Sequence, residues 1–230
     1  MEDHISRDTV VPMPLLKGGS IEDVFDGFAS QIRGEGPLGR RVEHATSVLV
    51  AEIRGWHAVW DVHGSERAAI MLGHTVDRVL AATESLSADE ISVGGESTQP
   101  VITASFADRN HALRGVAAAE AVRDAAARTL HPSVVERFRA GVGVNTGMVV
   151  DTHVNGAGID FSSKGTTRMF AVRLQEFAGP GQVFISEATY RAVPLALDVV
   201  PIGAVRIGGD GETQEAFLLR GLVREPSPRG

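Results

Sequence analysis

Apolar residues follow two different periods along this chain, and the changes between the periods mark the predicted elements. Residues 46–53 form a mostly apolar, β-branched run, which is typical of a strand buried on both faces. Helical spacing begins at Ser65 and returns over 109–130, and a second strand is predicted between them at 100–106. The apolar helical positions are Leu72, Val76, Val79 and Leu80 in the first helix and Leu113, Val116, Ala117 and Ala121 in the second. This order predicts a domain of mixed α and β structure.

The next region is rich in glycine. Alternating apolar residues over 138–144 predict a strand, and the turn-forming residues 145–147 predict a reversal into a returning strand. Gly141, Gly143 and Gly147 recur through this strand and its turn, so their spacing has a structural explanation. A dinucleotide-binding fingerprint would need a following helix and an acidic partner, and neither follows.

A third helix is predicted in the second half of the chain, because Phe170, Leu174 and Phe177 recur at i, i+4 and i+7 as a core-facing stripe. The helix ends at residues 179–181, which are Gly-Pro-Gly, before a strand at 182–185. Together with the earlier elements, this order predicts an α+β domain with a βαββαβ core and additions.

The N-terminal region has a different pattern. Residues 1–19 are polar and interrupted by proline, so we interpret them as an arm. Ser20 is a suitable N-cap for a helix that runs to Gly34, and a glycine-rich linker follows. Its apolar face is formed by Ile21, Val24, Phe25, Phe28 and Ile32. Residues 1–41 are therefore predicted to be an N-terminal arm and helix outside the main domain.

Composition narrows the function classes. The formal charge of −7 and the lack of a basic run argue against nucleic-acid binding. The chain contains no cysteine and no apolar segment of membrane-spanning length, so we expect a cytoplasmic protein without disulfides or membrane contact. His57, Asp61 and His63 are close in sequence, but only one pair of them would share a helical face. No metal cluster is predicted there.

Three segments, GVGVNTGMVV, AVRL and PGQVFISEATY, occur in the predicted order of strand, helix and strand. From about Thr46 to Leu222 the chain resembles the catalytic domain of class III nucleotidyl cyclases. The resemblance implies a ferredoxin-like α+β fold over 46–222, with 223–230 as a disordered tail. It also implies a homodimer that associates head to tail.

Active members of that family hold two divalent metal ions on two aspartates, the first within a segment similar to FADIRGF. The corresponding segment here is VAEIRGW, with Glu52 at the aspartate position. The extra methylene of glutamate shifts the carboxylate by about a bond length, and Mg²⁺ tolerates little geometric error. Glu52 is therefore either an impaired metal ligand or a strand-end carboxylate paired with Arg54.

The resemblance places the second metal aspartate at Pro100, which offers no ligand. Four residues earlier the family carries a lysine that reads the purine edge, and Glu96 stands there with the opposite charge. A shifted alignment over 94–99 would instead make Glu96 a second metal ligand. Ser162 stands where the family uses an aspartate or threonine against the base.

In the third helix, active cyclases carry an asparagine and an arginine four residues apart that contact the nucleotide. Met169 and Arg173 occupy these positions, so only the arginine is retained, as a nucleotide contact or a surface residue at a dimer contact. The family lysine that grips the triphosphate is missing around 207–211. The chain has two lysines, Lys17 and Lys164, so neither family lysine can have moved a few places. The nearest groups that could replace the phosphate contact are Arg206 and Arg220.

These substitutions favour a degenerate cyclase-homology domain, a pseudoenzyme that acts by dimerisation, partner binding or nucleotide sensing without a cofactor. The alternative is an active, divergent cyclase that uses Mg²⁺ or Mn²⁺ to convert a nucleoside triphosphate into a 3′,5′-cyclic nucleotide. A third interpretation makes the chain one half of a heterodimer, in which Arg173 serves a second cyclase-like subunit that supplies both metal aspartates.

Overall fold

The computed structural model describes residues 41–107, 109–128, 138–152, 164–193, 197–206 and 213–223. The predicted N-terminal helix, residues 224–230 of the predicted tail and Ser162 lie outside these ranges, and the predicted domain boundaries stay predictions. None of the helices within the ranges combines the length and apolarity that a membrane-spanning helix needs.

Seven strands and five helices are formed by the described residues. The strands are β1 (Arg41–Arg54), β2 (Glu90–Glu96), β3 (Gln99–Phe106), β4 (Arg139–Thr152), β5 (Val183–Ser186), β6 (Leu197–Arg206) and β7 (Thr213–Leu222). The helices are α1 (Trp56–His63), α2 (Ser65–Glu84), α3 (His111–Ala127), α4 (Lys164–Phe177) and α5 (Glu187–Ala192). The strands form one sheet in the order β2-β3-β1-β4-β5-β7-β6, which confirms the predicted α+β fold.

Strand β1 is covered on both faces, as its apolar run predicts. Leu49 and Ile53 point into the main core, where they join Val116 of α3. Val50 points to the other face, where it packs with Ala171 of α4. Because successive side chains of a strand alternate between faces, α3 and α4 lie on opposite sides of the sheet.

Helix α4 lies unusually close to β4, and glycines make this approach sterically feasible. A Cβ atom at Gly143 would lie 2.2 Å from the Ala171 carbonyl oxygen and 2.5 Å from the Gln175 nitrogen. A Cβ atom at Gly147 would lie 2.4 Å from the Thr167 hydroxyl oxygen. The structural interpretation of these glycines is therefore supported, with the helix contact as the specific reason.

The predicted reversal at residues 145–147 is wrong, because β4 continues through them to Thr152. The side-chain nitrogen of Asn145 donates to the Thr167 carbonyl oxygen at 3.0 Å, and Gly147 packs against the same residue. These turn-prone residues therefore serve the contact between β4 and α4 instead of a turn.

Two predicted core positions are also wrong. Phe177 at the end of α4 is 59% exposed, because Ala178 fills the buried position at that helix end. Leu113 on α3 is 41% exposed, although Val116 is buried as predicted. Alanine occurs on all sides of α3, so the larger residues alone do not reveal which face is buried. That face consists of Ala112, Gly115, Val116, Ala118, Ala119, Val122, Ala125 and Ala126.

Candidate functional site

Glu52 lies near the end of β1, on the face that packs against α4, with its side chain 20% exposed. Its Oε2 atom accepts hydrogen bonds from Arg54 Nε at 2.9 Å and Arg54 Nη2 at 2.7 Å. The same oxygen accepts a third hydrogen bond, at 2.5 Å, from the side-chain nitrogen of Gln175 on α4. The charge of this carboxylate is therefore balanced within the chain, and one of its oxygens is saturated with donors.

Pro100 is buried on β3, next to the residue that pairs with Glu52. The register joins Glu52 to Val101, so Pro100 points to the opposite face of the sheet. Its ring carries no oxygen that could bind a cation. Among the described residues, no group of three histidine, aspartate or glutamate side chains is arranged to hold a metal ion.

Glu96 is the last residue of β2 and is exposed. It pairs with Gln99, so it shares the Glu52 face of the sheet. Strand β3 separates the two glutamates, which places their backbones roughly 10 Å apart across the sheet. Since the Glu52 carboxylate contacts Arg54 and Gln175, the described structure does not join the two glutamates into one site.

Helix α4 turns Met169 and Arg173 away from the sheet. Met169 is 42% exposed, and the Arg173 side chain is 46% exposed. Arg173 Nη1 forms an ion pair with Glu176 Oε2, one helical turn along, at 2.7 Å. Phe177 continues this exposed line. Arg173 is thus a surface group paired within its own helix, whereas the Glu52 carboxylate is bonded to Arg54 and Gln175.

Gln175 and the end of α4 were not predicted to belong to a site. Gln175 is buried beside Leu174 and Ala178, on the apolar face of the helix. A buried amide on an apolar helical face needs a hydrogen-bond partner, and this was the signal available in the sequence. Nothing in the sequence specified that the partner is Glu52.

Comparison with known proteins points to one family. Residues 41–221 match the family model described as adenylate and guanylate cyclase catalytic domain. No curated protein sequence matches the chain.

Solved cyclase structures resemble the fold closely. The adenylyl cyclase CyaB from P. aeruginosa is 14% identical, with 83% of this chain and 100% of that chain covered and a TM-score of 0.59. The non-canonical dimeric guanylyl cyclase domain of the RhoGC fusion protein from the aquatic fungus Blastocladiella emersonii is 13% identical, with 80% and 100% covered and a TM-score of 0.62. The guanylate cyclase domain of RhGC from Catenaria anguillulae, solved in complex with GTP, is 15% identical, with 79% and 100% covered and a TM-score of 0.59. At these identities the likeness establishes the fold.

Proposed function

Because the chain belongs to the adenylate and guanylate cyclase catalytic domain family, we propose that it is a cyclase-homology domain that does not cyclise nucleotides. Its function is that of a dimerising regulatory module. The observation that carries this proposal is the state of Glu52, whose carboxylate is held by Arg54 and Gln175.

Two-metal catalysis requires carboxylates that both cations share, so that one cation activates the attacking hydroxyl and both neutralise the phosphates. Glu52 is the remaining carboxylate of this kind, and a metal ion would have to displace a guanidinium and an amide from it. Pro100 supplies no second ligand. Neither Mg²⁺ nor Mn²⁺ is therefore expected to bind here with the geometry that catalysis needs.

This chain also has fewer groups that could stabilise charge in the transition state than active members of the family have. One preorganised donor of this type is typically worth about 100-fold or more in rate. Arg173 remains, but Met169 replaces an amide, and the family lysine that grips the triphosphate is missing around 207–211. Such losses combine non-additively, so the proposal predicts turnover near background instead of a particular rate.

Dimerisation is supported by the exposed face of α4. Met169 and Phe177 flank the Arg173–Glu176 ion pair, and both apolar side chains are substantially exposed. A large apolar side chain gains roughly 1.5–3 kcal/mol when it is removed from water. We propose that a second copy of this chain covers this α4 surface, defined by Met169, Arg173 and Phe177.

Nucleotide sensing is the form of regulation that Glu96 supports. A carboxylate accepts hydrogen bonds and does not donate them. The Watson–Crick edge of guanine presents two adjacent donors, N1–H and the exocyclic amino group, whereas that of adenine presents one. If a nucleotide binds, GTP is therefore expected to bind more tightly than ATP, and Glu96→Lys is expected to reverse this preference.

The deciding experiment is a cyclase assay of the purified full chain against all four nucleoside triphosphates with Mn²⁺, beside an active family member. The expected result is product at background. Manganese-dependent formation of a cyclic nucleotide that is lost in both Glu52→Ala and Arg173→Ala would overturn the proposal and establish the active, divergent cyclase.

The heterodimer is a second candidate, favoured by the accessibility of Arg173. Its test mixes this chain with a cyclase domain that keeps both metal aspartates but lacks its own helix arginine. Activity that appears on mixing, and is absent when Arg173→Ala is mixed, would establish that this chain completes a partner's site. No activity in either mixture supports the regulatory module.

A further inference from the structure

The sheet has two edge strands, β2 and β6, and these two edges are built differently. Strand β6 pairs with β7 in a register that is interrupted after Asp198 and again after Pro201. Proline has no N–H group to donate, and an irregular edge does not offer a continuous row of hydrogen-bonding groups. The backbone of β6 is therefore poorly suited to pair with another strand.

Strand β2, in contrast, has an intact edge. Its pairing with β3 is continuous from Glu90 to Glu96, and the strand contains no proline. Six of its seven residues are exposed, and they include the apolar side chain of Val93, which is 53% exposed. A regular and accessible strand edge of this kind is a template on which another strand can pair.

The register shows which main-chain groups of β2 point away from β3. A Cβ atom at Gly95 would lie 2.6 Å from the Gln99 carbonyl oxygen and 3.0 Å from the Val101 nitrogen, so these two groups of β3 face β2. In an antiparallel pair, alternate residues bond to the neighbouring strand and the residues between them point away from it. The odd-numbered residues of β3 therefore bond to their even-numbered partners in β2. This leaves the N–H and C=O groups of Ile91 and Val93 directed outward.

The charge around this edge has one sign. Residues 79–108, which include β2 and β3, contain no lysine, arginine or histidine but five acidic residues, namely Glu84, Asp89, Glu90, Glu96 and Asp108. Arg114 of α3 forms an ion pair with Asp89 at 3.6 Å. Glu90 and Glu96 stand at the two ends of β2 itself. An incoming strand that carries lysine or arginine would therefore meet complementary charge, whereas an acidic strand would meet like charge.

The acidic ends of β2 disfavour a second copy of this chain as the added strand. An antiparallel pairing centred on Val93 would place Glu90 of one copy opposite Glu96 of the other. A parallel pairing in register would place each glutamate beside its counterpart, and like charges that face each other destabilise a strand pair. The edge of β6 thus discourages every strand through its backbone, whereas the edge of β2 discourages only acidic strands through its charge.

We propose that the outer edge of β2 binds an extended segment of a partner protein that carries lysine or arginine, so that the segment adds a strand to the sheet. Main-chain hydrogen bonds to Ile91 and Val93 hold the segment, and Glu90 and Glu96 select its charge. The proposal names the kind of partner that a regulatory module would bind, and in that respect it rests on the proposed function.

The test uses the purified full chain and two fluorescent seven-residue peptides, one that alternates lysine with valine and one that alternates glutamate with valine. Fluorescence anisotropy measures binding, and NMR measures the deuterium exchange of the Ile91 and Val93 amides. The lysine peptide is expected to bind at least about tenfold more tightly than the glutamate peptide. It should also slow the exchange of both amides, because their N–H groups become hydrogen-bonded.

A variant at the centre of the edge tests the main-chain contact. Val93→Pro removes an outward N–H group at a position where an edge strand tolerates proline, so the lysine peptide should bind about tenfold more weakly. Val93→Thr is the matched control, since threonine keeps the N–H group and the preference for a strand. This control should bind the lysine peptide as the natural chain does.

The inference is overturned if the two peptides bind equally, if the lysine peptide does not bind at millimolar concentration, or if it binds without slowing exchange at Ile91 and Val93. Slower exchange of these amides when the natural chain alone is concentrated would show that a second copy occupies the edge, which also overturns it. Should Val93→Pro not fold, exchange in the natural chain decides. The cyclase assay uses no peptide, so a failure of the proposed function is distinguishable from a failure of this inference.

Discussion

Helices α3 and α4 pack on opposite faces of the same strand, and they do so in different ways. Helix α3 buries a broad face of alanine and valine in the main core. Helix α4 instead rests on the glycines of β4 and exposes Met169, Arg173 and Phe177. The difference shows that the packing of α3 depends on its own small residues, whereas the packing of α4 depends on the glycines of the strand beneath it.

Polar groups also make contacts on both sides of the sheet. At the start of α3, His111 Nδ1 contacts the Ser47 hydroxyl at 2.9 Å, and that hydroxyl lies 2.7 Å from the hydroxyl of Thr146. The Thr146 hydroxyl in turn lies 3.0 Å from the hydroxyl of Thr189. On the α4 side, charged groups meet, as in the Glu52–Arg54 pair.

The largest effect is expected where α4 approaches β4 most closely. Gly143→Val adds a side chain whose Cβ would lie 2.2 Å from a backbone oxygen, so α4 must move away from the sheet. We expect a loss of stability of about 3 kcal/mol or more, or no folded protein, by circular dichroism. Gly73→Ala on α2 is the control, since no atom lies within 4 Å of its added Cβ. Equal melting curves for the two variants would contradict the close approach.

The next largest effect on stability is expected for a side-chain truncation in the core on the α3 side. Phe106 is fully buried in the core that α3 covers. Phe106→Ala should cost about 3–5 kcal/mol in urea unfolding, because it leaves a cavity in a packed region. The variant that remains folded should still associate through the α4 surface. If the variant is fully folded but monomeric, then the α3 core and the association through the α4 surface are coupled.

The α4 surface is expected to control association with little effect on stability. Phe177→Lys places a charge on an exposed apolar position, so light scattering should change from twice the chain mass to the mass of one chain. Ile70→Lys on α2 is the matched control, since Ile70 is 55% exposed outside this surface. Stability of both variants should stay within about 0.5 kcal/mol. A natural chain that is monomeric at tens of micromolar would refute the dimer.

The smallest effect is expected for the Arg173–Glu176 ion pair. Both side chains are nearly half exposed, and exposed pairs are typically worth about 0–1 kcal/mol. Glu176→Ala should therefore leave the urea midpoint almost unchanged, while it releases Arg173 from its partner. A large loss of stability would show that the pair has a structural role beyond the surface.

Periodicity along the chain was sufficient for the main elements. The predicted strands at 46–53 and 100–106 lie within β1 and β3, and the predicted helices overlap α2, α3 and α4. It was insufficient at 145–147, where turn-forming residues continue as a strand. Residue identity alone also led to the hypothesis that catalytic groups are missing, because the resemblance places Pro100 and Met169 where such groups would stand.

The partners of the retained residues were decided by tertiary structure. Glu52 meets Gln175 across 123 residues, and Arg54 meets Ala178 across 124. Both contacts depend on the position at which α4 packs on the sheet. That position is possible because Gly141, Gly143 and Gly147 have no side chain. A repeating pattern of apolar residues indicates which face of an element is buried, because the burial of a face depends on many neighbours together and not on one particular contact. Whether Glu52 meets a metal ion or a guanidinium depends on distances of a few ångströms between segments that are far apart in sequence, and only the packed chain sets those distances.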